Sequence, residues 1–187
     1  MRVEVEVAST GEILRRLLDG RLQLALVGSN DADERVAFEP FLDDELVGIA
    51  KPGLVRARNG RVRAEDLSGQ MLLAREPESA SRKLADRALA AAGVRPAGVW
   101  ELGSSEAIKR TAREGLGFAF VSRYAVAEEV DRGELAAFRL ADAPRIERRF
   151  WSARLSGRPL SPAESGFLRT LRTCCKKSEE YAAACLA

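Results

Sequence analysis

The sequence predicts an α/β fold with largely parallel sheets, and three observations carry that prediction. Short apolar strand runs alternate with amphipathic helical runs along most of the chain. Several strand runs, such as Leu22–Gly28 (LQLALVG) and Leu116–Val121 (LGFAFV), are almost continuously apolar, as strands buried on both faces are. Helix starts repeatedly follow strands directly, marked by serine or threonine caps.

Taken in order, Val3, Val5 and Val7 alternate with Glu4 and Glu6 at strand period. Ser9-Thr10-Gly11-Glu12 then forms a capping box, Ile13, Leu14, Leu17 and Leu18 follow at helical spacing, and Gly20 stops the helix. Leu22–Gly28 reads as a strand of the parallel sheet. Val36–Phe41 and Glu45–Ala50 read as two strands parted by an acidic turn at Asp43-Asp44. Lys51 to Gly60 is an arginine-rich loop, and Asp66–Gly69 closes a helical turn before the strand Met71–Ala74.

A second series begins with the polar loop Arg75–Ser79 and a helix burying Leu84, Ala85, Ala88, Leu89 and Ala92, ended by Gly93. Val99–Leu102 is a strand, Gly103-Ser104-Ser105 opens a helix, and Leu116–Val121 is a buried strand ending at Ser122. Tyr124–Val130 is helical, and Leu135–Leu140 and Arg148–Leu155 are strands. Ser161-Pro162-Ala163-Glu164 combines a capping box with proline at the first helical position. Phe167, Leu168 and Leu171 give that helix its buried face. The remainder, residues 174–187, breaks the rhythm and reads as a loosely held tail or an extra short helix.

Composition narrows the function. With 46% hydrophobic and 31% charged residues, the 187-residue chain is globular. Thirty basic against 28 acidic residues leave a formal charge of +2, without the basic stripe of a nucleic-acid binder. The densest basic cluster, Arg145–Arg149, reads as a solvated strand edge. The chain contains no histidine, which removes Ser-His-Asp and Cys-His nucleophilic sites and histidine metal ligands. The three cysteines, Cys174, Cys175 and Cys185, crowd one end and form neither a disulfide framework nor a metal motif. No run approaches the 18 apolar residues of a membrane span, and the first residues lack a signal peptide's apolar core, so a cytoplasmic protein without membrane contact is expected.

Three strand-to-helix loops carry hydroxyls: Ser9-Thr10, Ser79 to Ser81, and Ser104-Ser105. In an open parallel sheet the crevice beyond the strands' carboxyl ends is the usual ligand site, and helix N-termini there favour an anion. Ordinary capping accounts for each loop taken alone; three together point toward binding. Arg75 and Arg82 flank the second loop and could hold a carboxylate, or form surface pairs with Glu76, Glu78 or Asp86. Glu106 with Lys109 and Arg110 is ordinary helix pairing, and Gly115 and Gly117 do not have the spacing of a dinucleotide fingerprint.

These loops also carry a resemblance. VEVEVASTGEILRRLLDGRLQLALVG, FLDDELVGIAKPG, LAREPESASRKLADRALAAAGVRP, ELGSSEAIKRTAREGLGFAFVSRYAV and RRFWSARLSGRPLSPAESGFLRTL resemble, in order, the effector-binding domain of LysR-type transcriptional regulators. The resemblance covers nearly all of residues 3 to 172. It implies a type 2 periplasmic-binding-protein-like fold of two Rossmann-like lobes joined by crossover strands, with the effector in the cleft between them. The lobes would be residues 1–70 plus 145–173, and 71–144. The implied effector contacts are Ser9, Thr10, Arg75, Ser79, Ser81, Ser104, Ser105 and Ser122. Where the family usually has a glycine-rich stretch with threonine, this chain has Glu78-Ser79-Ala80-Ser81. Relative to the family, the chain is expected to lack the N-terminal winged helix-turn-helix and the first strand and helix of the sensing domain, leaving the first lobe incomplete or completed by another chain. The implied partners are a small anionic effector and further copies of the chain, a dimer here and a tetramer at full length, with DNA reached only through the missing domain. No cofactor or metal is implied.

The alternatives are a solute-binding protein of the same fold, a dimerisation fragment without ligand, and a small enzyme using Glu76 or Glu106. The last lacks any paired-acid motif.

Overall fold

The computed structural model describes residues 4–30, 33–141 and 143–185, with the side chains of 181 and 183–185 left aside. Val3 of the N-terminal alternating run lies outside the described residues. By its contacts the chain divides into two units, Met1–Asp43 with Arg148–Glu180, and Asp44–Glu147 with Tyr181–Ala187.

In the first unit, α1 (Thr10–Leu18) is capped by Ser9, whose side chain accepts from the Glu12 N–H at 3.4 Å. Its apolar stripe, Ile13, Leu14 and Leu17, packs on Ala25 and Val27 of β1 (Ala25–Val27) and on Ala153. β1 pairs antiparallel with β8 (Ile146–Leu155), Leu26 opposite Ser152. The expected buried parallel strand is therefore a three-residue antiparallel one, with Leu26 41% exposed on its outer face. Residues 4–9 form no strand, and Val5 and Val7 are 78% and 94% exposed. Alternation marks a face that could pair; a strand also needs a neighbouring edge, and no described strand takes one up beside these residues.

β2 runs unbroken from Val36 to Ala50, so the expected turn at Asp43-Asp44 is absent. Each acid is held in extended backbone by a partner of its own, Asp43 by Arg149 at 2.5 Å and Asp44 by the Ser122 hydroxyl at 3.0 Å. α6 (Pro162–Cys185) opens with a reciprocal capping box. The Ser161 N–H donates to Glu164 Oε2 at 2.7 Å, and the Glu164 N–H donates to the Ser161 hydroxyl at 3.2 Å. The expected loose tail is a continuation of this helix through residue 185, because after Gly166 the sequence holds neither glycine nor proline to end it.

The second unit is a three-layer α/β sandwich. Besides part of β2 it contains β3 (Arg61–Val62), α2 (Ala64–Leu67), β4 (Met71–Ala74), α3 (Ala80–Ala91), β5 (Gly98–Glu101), α4 (Ser105–Arg113), β6 (Ala119–Ser122), α5 (Arg123–Asp131) and β7 (Ala136–Leu140). β4 and β5 are parallel, and a parallel bridge from Leu72 to Phe118 joins β4 to the start of β6. β6 and β7 flank β2, both antiparallel to it, and β3 runs parallel to β7. The spatial order is thus β5-β4-β6-β2-β7-β3.

Successive residues of these strands face opposite layers. Leu46, Ala50, Leu72, Phe118, Phe120 and Phe138 meet Ala85 and Leu89 of α3, whereas Val47, Ile49, Leu73, Ala119 and Val121 meet Ile108 and Ala112 of α4 and Val126 of α5. Burial on both faces explains the continuous apolar runs in the sequence. Residues 44–70, expected with the first lobe, belong with this unit because Leu46, Ala50, Val62 and Leu67 share one core with Leu72 and Phe118. Two glycines make close strand approaches. A Cβ at residue 48 would stand 2.2 Å from the buried Phe138 ring, and one at residue 117 would stand 2.3 Å from the Met71 carbonyl oxygen.

Candidate functional site

The second unit turns the carboxyl ends of β3, β4, β5, β6 and β7 to one edge, because all five run opposite to β2. Neighbouring strands lie ~4.8 Å apart, so the residues that follow β4, β5 and β6 stand within a small molecule's reach of one another. Those residues are Arg75 to Ser81, Ser104-Ser105 and Ser122, six of the eight expected contacts falling on this edge. Ser9 and Thr10 head α1 in the first unit.

The three helix starts on this edge differ in what they leave free. At α3 the N-cap residue Ser79 makes no side-chain cap bond, and the first turn holds no acidic residue. The first N–H groups of this twelve-residue helix therefore lack a side-chain acceptor at the N-cap, at the positive end of its dipole. At α4 the Ser104 hydroxyl oxygen accepts from the Ala107 N–H at 3.1 Å, which leaves its own proton available to donate. Ser105 beside it is half-buried, and among the described residues its hydroxyl has no partner. At α5 the Ser122 hydroxyl is used twice: it donates to Asp44 Oδ1 at 3.0 Å and accepts from the Tyr124 N–H at 3.3 Å.

The charges on the edge are largely paired. Arg75 holds Glu76 through Nε and Nη2 at 2.8 and 3.1 Å, and Arg82 grips Asp86 while donating to the Arg75 carbonyl at 2.8 Å. The surface pairs weighed from sequence are thus both formed. Two acids, Asp44 and Glu45, are buried where β2 enters the same edge; sequence reasoning read Asp44 as part of a turn and Glu45 as the start of a strand, and assigned neither to the site. Glu45 is held by Arg139 at 2.5 and 2.9 Å. Burial pushes the Glu45 carboxyl up, but the Arg139 guanidinium, with Arg145 and Arg123 nearby, outweighs it and holds the group below the usual carboxylate range.

What this edge can do is bind: it offers backbone N–H groups, free hydroxyl protons and helix dipoles. Among the described residues no group of three or more histidine, cysteine, aspartate or glutamate side chains could hold a metal ion. No described helix is long and apolar enough to cross a membrane.

Comparison with known proteins then places the chain. The family model described as the LysR substrate binding domain matches residues 1–176. The chain belongs to that family.

As a LysR substrate-binding domain it has the type 2 periplasmic-binding-protein-like fold and the effector-binding role of a LysR-type regulator, and its relatives are transcriptional regulators, not enzymes. It is similar to the HTH-type transcriptional regulator YeiE of Escherichia coli K12, 31% identical over 166 residues, covering 89% of this chain and 56% of that protein. It is also similar to the HTH-type transcriptional regulator CbbR of Rhizobium meliloti, 30% identical over 173 residues, covering 90% of this chain and 54% of that one. The chain thus spans about half the length of the curated relatives it matches. Among solved structures it is similar to the Synechocystis CcmR regulatory domain in complex with 2-PG, with a TM-score of 0.80, 28% identity, and coverage of 94% of this chain and 84% of that one.

Proposed function

We propose that this domain senses a small anionic metabolite, held at the carboxyl edge of the second unit's sheet, and that occupancy controls DNA binding and transcription by the whole regulator in the cytoplasm. The observation that carries the reading is the N-terminus of α3, open at Ser79, beside the N-terminus of α4 with its free hydroxyl protons at Ser104 and Ser105. An anion placed there accepts from backbone N–H groups and hydroxyls together. Arg75 and Ser81 border the same loop, and Ser122 closes the edge by fixing the start of α5. Ser9 and Thr10, the remaining contacts expected from the sequence, belong to the first unit, where Ser9 caps α1 and retains its hydroxyl proton. The 2-PG complex of the similar CcmR domain supports a small-molecule effector.

Occupancy regulates only if the ligand binds two arrangements of the regulator with different affinity, and the proposed regulator is a homo-oligomer, dimeric or tetrameric. A thermal-shift screen of the chain against phosphate, sugar phosphates, dicarboxylates and aromatic acids tests the reading. A ligand specific to the native state stabilises it by about 2.7 kcal/mol at a hundredfold excess over its Kd. A saturable rise in Tm confined to one class of anion is expected; equal shifts from anions and their neutral analogues would contradict an anion site.

A further inference from the structure

The first unit contains a groove unconnected with the residues proposed above, and its lining comes from that unit alone. It is an open groove of about 450 Å³ lined by the middle of β2, by Arg149 of β8 and by Arg172 to Glu179 of α6. That volume lies within the ~300–1,000 Å³ of ordinary small-ligand sites.

One wall is apolar. Phe41 and Leu42, both half-buried, line it, and Phe41 is fixed by the Phe150 ring at a centroid distance of 6.2 Å. Phe150 in turn lies beneath the Arg148 guanidinium, 4.5 Å from its centroid. The buried Cys175 also lines the groove.

Three cations also line the groove, and their charges are not equally available. Arg149 is taken by Asp43 at 2.5 Å, and Arg172 by Glu39 at 2.5 Å. Lys176 makes no ion pair or hydrogen bond among the described residues, although Glu179, one turn on, also lines the groove. The groove therefore offers one uncommitted ammonium among its lining residues, together with apolar side chains. A dianion would have to draw a second cation from its carboxylate.

We propose that this groove is a second ligand site, taking a small monocarboxylate with an apolar body, its carboxylate on Lys176 and its body against Phe41 and Leu42. The match is one of charge and polarity: a single negative charge at one end, no need for further donors, and a body that gains by leaving water. The site stands apart from the proposed effector contacts, none of which lines it.

Cys175 makes the proposal directly measurable. In a Cys174→Ser, Cys185→Ser background it is the single thiol, and its alkylation by iodoacetamide is followed by mass spectrometry with 3-phenylpropionate, hexanoate, 3-phenylpropionamide or inorganic phosphate present. The site predicts saturable protection of Cys175 by the two monocarboxylates, about tenfold weaker protection by the amide, and none by phosphate. Lys176→Glu should weaken protection by about tenfold or more, Lys176→Gln by less, and Ser104→Ala should leave it unchanged. Absence of protection up to saturating monocarboxylate overturns the proposal. So does protection that survives Lys176→Glu, or that disappears with Ser104→Ala, since the ligand would then sit elsewhere. Failure here leaves the anion site of the second unit untouched, because that site is read out by the Ser104 and Ser105 variants.

Discussion

The hydroxyl of Ser122 donates to the carboxylate of Asp44 across 3.0 Å, linking the end of β6 to a buried acid at the point where β2 enters the second unit. The same oxygen accepts from the Tyr124 N–H, so Ser122 has no proton left to give a ligand. Ser122→Ala should therefore act on stability, lowering it by roughly 1–3 kcal/mol because a buried carboxylate loses a donor. Urea unfolding measures this. An unchanged midpoint would mean that water serves Asp44 equally well.

Gly117 is a tight point of the sheet. Its backbone passes so near Met71 that a Cβ would meet the carbonyl oxygen at 2.3 Å, beside the hydrogen bond from the Phe118 N–H to that same oxygen at 2.9 Å. Gly117→Ala should cost about 2 kcal/mol or more, since a backbone atom must move to make room. Gly103→Ala, where a Cβ meets nothing within 4 Å, is the matched control and should cost far less.

Acid should loosen the start of α6. The Arg158 guanidinium holds the Glu164 carboxyl at about 2, against burial, which raises it, and with help from Ser161. A folded pKa below the unfolded value near 4.5 means that this contribution is complete above about pH 4.5 and fades as pH falls toward 2. The slope of stability against pH in that window should shrink in Glu164→Gln. An unaltered slope would assign the acid sensitivity to other carboxylates.

Lys109 is buried on α4 and bonds Glu129 of α5 at 2.7 Å and Glu106 at 2.7 Å. Burial lowers its pKa, but the two carboxylates more than compensate, and the ammonium stays charged above its usual range. Lys109→Ala should destabilise by a few kcal/mol because Glu129, 15% exposed, is left buried without its partner. Adding Glu129→Gln should recover part of that loss. If the double variant is no better than the single one, the stranded charge is not the cause.

The second unit was largely legible in the sequence. The runs at Met71–Ala74 and Leu116–Val121 are apolar without alternation because helices cover both faces of their sheet, and that signature survives in a single sequence. The side-chain cap at Ser9 and the capping box at Ser161 were equally plain, since a cap is a contact between residues three apart. Features set by distant partners were not legible. Asp43-Asp44 looks like a turn until Arg149 and Ser122 are brought beside it, and the Val5–Val7 alternation looks like a strand although no described strand pairs with it. The antiparallel pairing of β1 depends on β8, more than a hundred residues away, and no local pattern announces it. Of the expected contacts, sequence located the serines; which hydroxyls keep a free proton is a fact of three-dimensional hydrogen bonding.

The most direct test of the account is calorimetric titration of the anion selected by the thermal screen into the wild-type chain and into a Ser104→Ala, Ser105→Ala variant. Loss of the Ser104 cap alone costs about 1 kcal/mol of helix stability, so the variant should remain folded by circular dichroism. The account predicts that its affinity falls by about tenfold or more, as expected when two hydroxyl donors to an anion are removed. Identical affinity in the two proteins would place the anion away from the α4 N-terminus and contradict the central claim.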